Sequence, residues 1–193
     1  MQKCTQVVTV LAVIFMAVSA HAQTSHMRVL VHTHKQVHES GLGVSGWVVA
    51  PSITDASDKW LMIAGPRYSA KGWNLELMGG AIVKSGKTIP LVDARLELTP
   101  KRFGVPLYTW ANLQWIATGD AGTSYSYVQA DYVLSKEVAL VGAETENVIN
   151  TDAADLSAGP HIVVPMGRVA LVGAYQFHTK GDRQFWARLV LNL

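Results

Sequence analysis

From residue 44 onward, apolar and polar side chains alternate along short segments that are separated by turn residues. In the last segment, Arg183–Leu193, the odd-numbered positions from Phe185 are all apolar, whereas Gln184, Arg188 and Asn192 occupy even-numbered positions. Successive side chains of a strand point to opposite faces, so this period of two predicts a β-strand with one apolar and one mixed polar face. No helical period interrupts the pattern, which indicates an all-β fold.

Ten such segments follow one another, and we predict each of them to be a strand. They are Val44–Pro51, Lys59–Arg67, Trp73–Val83, Ile89–Leu98, Val105–Ala117, Ser124–Leu134, Val138–Glu146, Leu156–Val164, Arg168–His178 and Arg183–Leu193. Strands joined end to end by turns describe an antiparallel up-and-down meander. A last strand that pairs with the first would close the sheet and remove its edges. We therefore predict a small transmembrane β-barrel of 8–10 strands, with 10 favoured, over residues 44–193.

The first residues have the features of a secretory signal. Lys3 supplies a positive start, Val7–Val18 is mostly apolar, and Ser19–Ala22 offers small residues at the positions that a signal peptidase reads. We expect residues 1–22 to be a cleaved signal peptide, since the apolar run is too short to span a bilayer comfortably. The single cysteine, Cys4, would leave with it, which excludes disulfide and thiol chemistry in the mature chain.

Residues 23–43 form a polar, histidine-containing segment ahead of the predicted barrel, with at most a short strand at Met27–Val31. Neutral imidazoles bind zinc, copper or nickel, which makes His32, His34 and His38 weak candidates for a metal site. No single regular conformation aligns them, so the alternative is a polar segment that faces the periplasm or folds into the barrel mouth. We expect no metal and no cofactor.

Charge and hydropathy narrow the class of protein further. The chain has a formal net charge of +2, and loss of Lys3 with the signal would leave +1. Basic residues are not clustered, so we expect no nucleic-acid partner. No later stretch is long and apolar enough for a transmembrane helix. The apolar side chains must therefore lie in a core or on a barrel wall.

Alternation alone does not separate a membrane barrel from a soluble one. Both have one apolar and one polar face, and they differ only in whether the apolar face points outward or inward. From Phe103 to Gly167 the only Lys or Arg is Lys136, whereas exposed strands of soluble sheets usually carry lysine. Aromatic residues lie near the predicted strand ends, where membrane barrels carry aromatic girdles. They are Trp60, Tyr68, Trp73, Tyr108, Trp110, Tyr125, Tyr127, Phe177 and Phe185. These features favour the membrane, and a lipocalin-like periplasmic barrel that binds a small apolar ligand is the alternative.

Signal, meander and alternating final strand together resemble the small porin-like outer-membrane β-barrel proteins of Gram-negative bacteria. The closing strand of that family usually ends in an aromatic residue, and here the last residue is Leu193. The resemblance implies a location in the cell outer membrane, with the periplasm as the alternative. It also implies the lipid bilayer as a partner, recognition of the C-terminal strand by the outer-membrane assembly machinery, and a small solute or ion as a possible cargo.

The two faces of the predicted strands should then have different surroundings. Leu96, Ala130, Leu171 and Leu189 are expected to face lipid. Charged residues of the opposite face should point into the lumen and pair there, because an isolated buried charge is very costly. This predicted network comprises Glu76, Asp93, Arg95, Glu97, Asp131, Glu144, Glu146, Arg168 and Arg188, with the three arginines bridging the carboxylates. Its excess of acid would bias a pore towards cations.

Catalysis is not expected. Outer-membrane phospholipases and lipid A deacylases carry a His and a Ser two residues apart on one strand, and the only such match is His38-Glu39-Ser40, ahead of the first predicted strand. An omptin-like protease needs paired carboxylates and an Asp–His dyad, but no Asp-x-His accompanies Glu144 and Glu146. The sequence thus predicts an outer-membrane barrel of structural or narrow-channel type with a filled, charged lumen.

Overall fold

The structure is a computed structural model that describes residues 22–54, 58–119, 121–135 and 139–193. Eleven strands and one short helix make up its elements in these ranges. They are β1 (Thr24–Gln36), β2 (Leu42–Ala50), β3 (Lys59–Ala70), β4 (Trp73–Lys84), β5 (Lys87–Leu98), α1 (Pro100–Phe103), β6 (Leu107–Ile116), β7 (Thr123–Ser135), β8 (Ala139–Ile149), β9 (Ala154–Met166), β10 (Val169–His178) and β11 (Arg183–Asn192). Residues 1–21 of the predicted signal peptide lie outside the described residues.

The eleven strands form one closed barrel in which each strand pairs with its neighbours in sequence. Every consecutive pair is antiparallel, and β1 closes the barrel by pairing with β11. Strands β2 to β11 correspond to the ten predicted segments, so the all-β class and the up-and-down barrel are confirmed. In the described residues, no helix has the length and apolar character needed to cross a bilayer.

Strand β1 accounts for the difference between ten predicted and eleven observed strands. The sequence analysis treated residues 23–43 as a polar segment with at most a short strand, whereas β1 is 13 residues long. Leu30 faces Val49 of β2 on one side and Val190 of β11 on the other. The β1–β11 pair is parallel, as an odd strand count requires. Thr24, at the start of β1, and Asn192, at the end of β11, therefore lie at opposite ends of the barrel.

The parallel pair gives the barrel two distinct ends. The first end, where β1 begins, carries the connections from β2 to β3, β4 to β5, β6 to β7, β8 to β9 and β10 to β11. The second end, where β1 finishes, carries the remaining connections, including α1. Pro100 starts α1 and Gly104 ends it in a left-handed conformation with φ of 69°, so the predicted turn at Thr99–Gly104 contains one helical turn.

The outer face of the barrel is apolar between the strand ends. Leu77, Val92 and Leu113 are each more than half exposed there. Within the described strands, the Lys, Arg, Asp and Glu residues of the outward-facing set are Lys35 and Arg183, and both lie close to a strand end. Leu96 and Leu171 point outward, and so do Ala130 and Leu189. The predicted assignment of faces therefore holds for these four positions.

Inward-facing glycines let neighbouring strands approach closely where the sheet curves. A Cβ atom at Gly80 would lie 1.9 Å from the Met62 carbonyl oxygen, and one at Gly159 would lie 1.7 Å from that of Tyr175. No side chain fits at such distances, so glycine at these positions permits the tight closure of the barrel.

Candidate functional site in the barrel lumen

The lumen contains a cavity of about 770 Å³. Lys59, the first residue of β3, and Asn192, the last of β11, both line it, so the cavity extends towards both ends of the barrel. Five basic and three acidic side chains are part of its lining: Arg28, Lys59, Arg67, Arg95, Arg188, Glu76, Glu97 and Glu146. The inner face is therefore strongly charged, in contrast to the outer face.

Glu144 on β8 is the centre of the largest polar cluster. Its residue is 1% exposed, and Arg188 of β11 donates to both carboxylate oxygens over 2.6 Å. The hydroxyl of Tyr127 donates to Oε2 over 2.8 Å, and the amide of Gln176 donates to Oε1 over 2.5 Å. A bidentate guanidinium–carboxylate pair with further donors is the geometry that compensates a buried charge.

His161 of β9 joins this cluster between two carboxylates. Its Nδ1 lies 2.7 Å from Glu144 Oε2, and its Nε2 contacts Asp131 Oδ1, with all three side chains fully buried. An ionised carboxylate only accepts hydrogen bonds, so a protonated imidazole, which donates from both ring nitrogens, matches this position between Glu144 and Asp131. Gly142 leaves room for this contact, since a Cβ there would lie 2.5 Å from Asp131 Oδ1.

A further ion pair connects the cluster to β1. Arg28 Nη2 donates to Glu146 Oε1 over 2.7 Å, and Arg188 Nη2 donates to Glu146 Oε2 over 3.2 Å. The Arg28 guanidinium also lies 4.4 Å from the ring centre of Trp186 on β11. These contacts bridge the lumen between β1, β8 and β11 and hold the first strand by its side chains.

Glu76 of β4 organises a second cluster. Its Oε1 accepts hydrogen bonds from Arg67 Nη1 at 2.5 Å and from the Ser45 hydroxyl at 2.8 Å, while Oε2 accepts one from Trp47 Nε1 at 2.9 Å. His32 Nε2 lies 3.3 Å from the same carboxylate. Both carboxylate oxygens of Glu76 therefore accept hydrogen bonds from β2 and β3, and His32 of β1 lies beside them.

Asp93 and Arg95, both on β5, form a third cluster. Asp93 accepts hydrogen bonds from Arg95 Nε at 2.9 Å, Asn112 at 2.8 Å and Gln114 at 2.5 Å. The Arg95 guanidinium lies 4.1 Å from the ring centre of Trp47 and 5.4 Å from that of Trp110. Its Nη1 is buried and has no hydrogen-bond partner.

Eight of the nine residues of the predicted network lie in the lumen, and Arg168 does not. Arg168 is exposed in the two-residue turn between β9 and β10, where no strand sets the direction of its side chain. The expectation that it points inward and bridges carboxylates is wrong. Arg188 does bridge Glu144 and Glu146, whereas Arg95 pairs with Asp93 and with no second carboxylate among the described residues.

The network predicted from the sequence did not include Arg28 and Arg67, which line the lumen cavity. Arg67 has the same parity as the inward-facing Leu61 and Ile63, and this parity could have identified it. With Arg28, Arg67 and Lys59 added and Arg168 removed, five Lys and Arg side chains face six acidic ones in the lumen. The predicted acid excess of three therefore falls to one, which weakens the argument for cation selectivity.

The three candidate metal ligands are not brought together. His32 and His34 stack on the inner face of β1 with ring centres 5.1 Å apart, whereas His38 lies in the connection to β2. There His38 Nδ1 lies 2.9 Å from the Ser40 hydroxyl and also accepts the Ser40 backbone N–H, so the predicted His-x-Ser pair is a turn contact. The part of the chain that the structure describes holds no group of three or more His, Cys, Asp or Glu arranged for a metal ion.

Comparison with known proteins gives no relative from which a function could be transferred: no family model, no curated protein and no solved structure matches the chain. The lumen and the two faces of the barrel wall therefore carry the functional argument alone.

Proposed function

We propose that this protein is an outer-membrane β-barrel whose lumen is a narrow, charge-lined passage for small solutes or ions. The supporting observation is the polarity of the wall, which is apolar outside and charged inside. A closed barrel also satisfies its backbone hydrogen bonds internally, as the interior of a bilayer requires.

The outer wall has the size and chemistry of a lipid-facing surface. The strands are 9 to 13 residues long, and about 9–11 residues are needed by a tilted strand to cross the hydrocarbon core. In a soluble barrel, the exposed Leu77, Val92 and Leu113 would contact water, and an apolar surface of this extent is rare on monomeric soluble proteins. The same side chains would be stabilised by lipid.

The lumen supports a narrow passage and not a wide pore. About eight strands enclose just enough space for side chains, and porins with open channels use about 16–18 strands. Here eleven strands surround three polar clusters, of which the one at Glu144 and Glu146 reaches from β8 to β11 and β1, beside a cavity that extends towards both ends. Small ions or solutes fit such a space, and the clusters restrict larger ones.

A soluble periplasmic barrel that binds a small apolar ligand is the second candidate. One observation favours it: an apolar cluster lies inside the barrel, formed by Trp47, Val49, Leu61, Ile63, Met78, Ile82 and Leu91. The three charged clusters that share the lumen with it make this candidate the weaker one.

Fractionation and conductance measurements test the proposal. The full chain is produced in a Gram-negative host, and its fractions are compared on gels with and without boiling. We expect outer-membrane material with heat-modifiable migration, and small ionic currents when the purified protein is added to a planar bilayer. Release in soluble form by osmotic shock would contradict the membrane location, and membrane-inserted protein without any current would remove the passage.

A further inference from the structure

We propose that Arg95 forms a binding site in the lumen for small organic carboxylates, with Trp47 and Trp110 as its aromatic walls. This inference goes beyond the proposed function, because binding at Arg95 requires neither a membrane nor conduction. Three independent features of the described residues carry it: an unpartnered buried donor, the distribution of charge around the cavity, and the aromatic rings that surround the Arg95 guanidinium.

The first feature is the unused hydrogen-bonding capacity of Arg95. The residue is 4% exposed and lines the lumen cavity. Its Nε donates to Asp93 over 2.9 Å and its Nη2 over a long 3.5 Å, while Nη1 has no partner. A buried charged donor without an acceptor is destabilising, so an acceptor that enters from the cavity would relieve that cost.

The second feature is the placement of charges relative to the cavity. Three of the six lumen acids, Asp93, Asp131 and Glu144, are 0–4% exposed and are not part of the cavity lining. Asp93 is already bonded by Asn112 and Gln114 in addition to Arg95. The lining itself has five Lys and Arg residues against three Glu, which favours an anionic occupant.

The third feature is the set of aromatic rings around Arg95, which favours a planar anion that carries an apolar group. The rings of Trp47 and Trp110 lie within 5.4 Å of the Arg95 guanidinium, and Tyr127 packs edge-on against Trp110 at 5.2 Å. A carboxylate matches the planar fork of a guanidinium, whereas the aromatic walls contact an apolar group beside it. Trp47 also belongs to the apolar cluster inside the barrel, which offers further space for that group.

Calorimetric titration with benzoate tests the site. The full chain is refolded in detergent, and benzoate is compared with benzamide, which has the same shape without the charge. The key variant is Arg95→Lys, which keeps the positive charge next to Asp93 but lacks the second N–H arm. Arg168→Lys is the matched control, because Arg168 is exposed in a turn outside the lumen.

We expect saturable binding of benzoate and none of benzamide. The affinity should fall about 10- to 100-fold in Arg95→Lys, as expected from loss of a charge-assisted hydrogen bond, and should be unchanged in Arg168→Lys. Equal heats for benzoate and benzamide, or full affinity in a folded Arg95→Lys variant, would overturn the proposal. Binding in a protein that carries no current would leave this site intact and remove only the proposed passage.

Discussion

At the scale of single residues, the lumen depends on charges that are buried together. Arg188 is 5% exposed and pairs with Glu144 and Glu146, and its Nη1 also lies 3.4 Å from the Tyr127 hydroxyl. Such a pair adds little net stability, since desolvation offsets much of the attraction. Removing one partner is a different matter, because the other charge is then left buried without compensation.

Arg188→Met should therefore be strongly destabilising. Loss of the guanidinium removes the bidentate partner of the buried Glu144 carboxylate, which keeps only His161, Tyr127 and Gln176, and breaking such a buried pair costs about 3–5 kcal/mol. The free energy of unfolding, measured by urea titration of the refolded protein, gives this difference. Arg168→Met is the control and should change it by less than about 0.5 kcal/mol, since Arg168 is exposed in a turn. Similar values for the two variants would show that the cluster is not buried as described.

A substitution at Gly142 provides a second test, of the close approach between β7 and β8. A Cβ there would lie 2.0 Å from the Ala130 carbonyl oxygen and 2.5 Å from the Asp131 carboxylate. Gly142→Ala should thus cost about 1–3 kcal/mol by overpacking, measured as above. Gly79 is the matched control on the outer face, where an added Cβ meets nothing within 4 Å. Equal stability of Gly142→Ala and Gly79→Ala would contradict the close approach of β7 and β8.

At the scale of elements, ten of the eleven strands could be predicted from the sequence, because their period of two is clear. Trp73–Val83 was predicted where β4 spans Trp73–Lys84. Strand β1 was not predicted, since His32 and His34 on its inner face made the segment look like a polar loop. The charged partners were not predictable either: Arg28 and Glu146 are 118 residues apart and meet only because the barrel closes.

The parallel β1–β11 pair is the feature that a cross-link tests most simply. Val29 and Leu189 face each other in this pair and both point outward. In a Cys4→Ser background, the variant Val29→Cys/Leu189→Cys should form a disulfide on mild oxidation, seen as a shift on a non-reducing gel. Val29→Cys/Leu171→Cys is the control, because Leu171 lies on β10, beyond β11. A barrel closed by β2 and β11 without β1 would give no cross-link in either variant.

At the scale of the whole molecule, the barrel is inverted relative to a soluble protein. The charged groups face the lumen and the apolar groups face outward. The sequence already indicated this polarity, since Lys and Arg are scarce from Phe103 to Gly167. The balance of charge in the lumen was not predicted, because Arg28 lies in the unpredicted strand β1 and the inward parity of Arg67 was overlooked.

Arginine substitutions on the outer face test whether this face of the barrel contacts lipid or water. In bilayers, Leu171→Arg in β10 should cost about 2–4 kcal/mol in the free energy of unfolding, as expected near the bilayer centre. Ile149→Arg, at the end of β8, should cost about 0–1 kcal/mol, because the side chain reaches the interface. If Leu171→Arg left the free energy of unfolding unchanged, the outer face would have to be in contact with water.

Spin-label accessibility tests the membrane location most directly. Single cysteines at Val92, Leu113 and the loop residue Lys180 are introduced in the Cys4→Ser background, labelled, and reconstituted in lipid vesicles. The labels at Val92 and Leu113 should be relaxed by oxygen, which dissolves in lipid, and protected from a water-soluble nickel complex; the label at Lys180 should show the reverse. Strong relaxation by the nickel complex at Val92 and Leu113 would mean that the apolar face contacts water, and the proposed membrane barrel would be wrong.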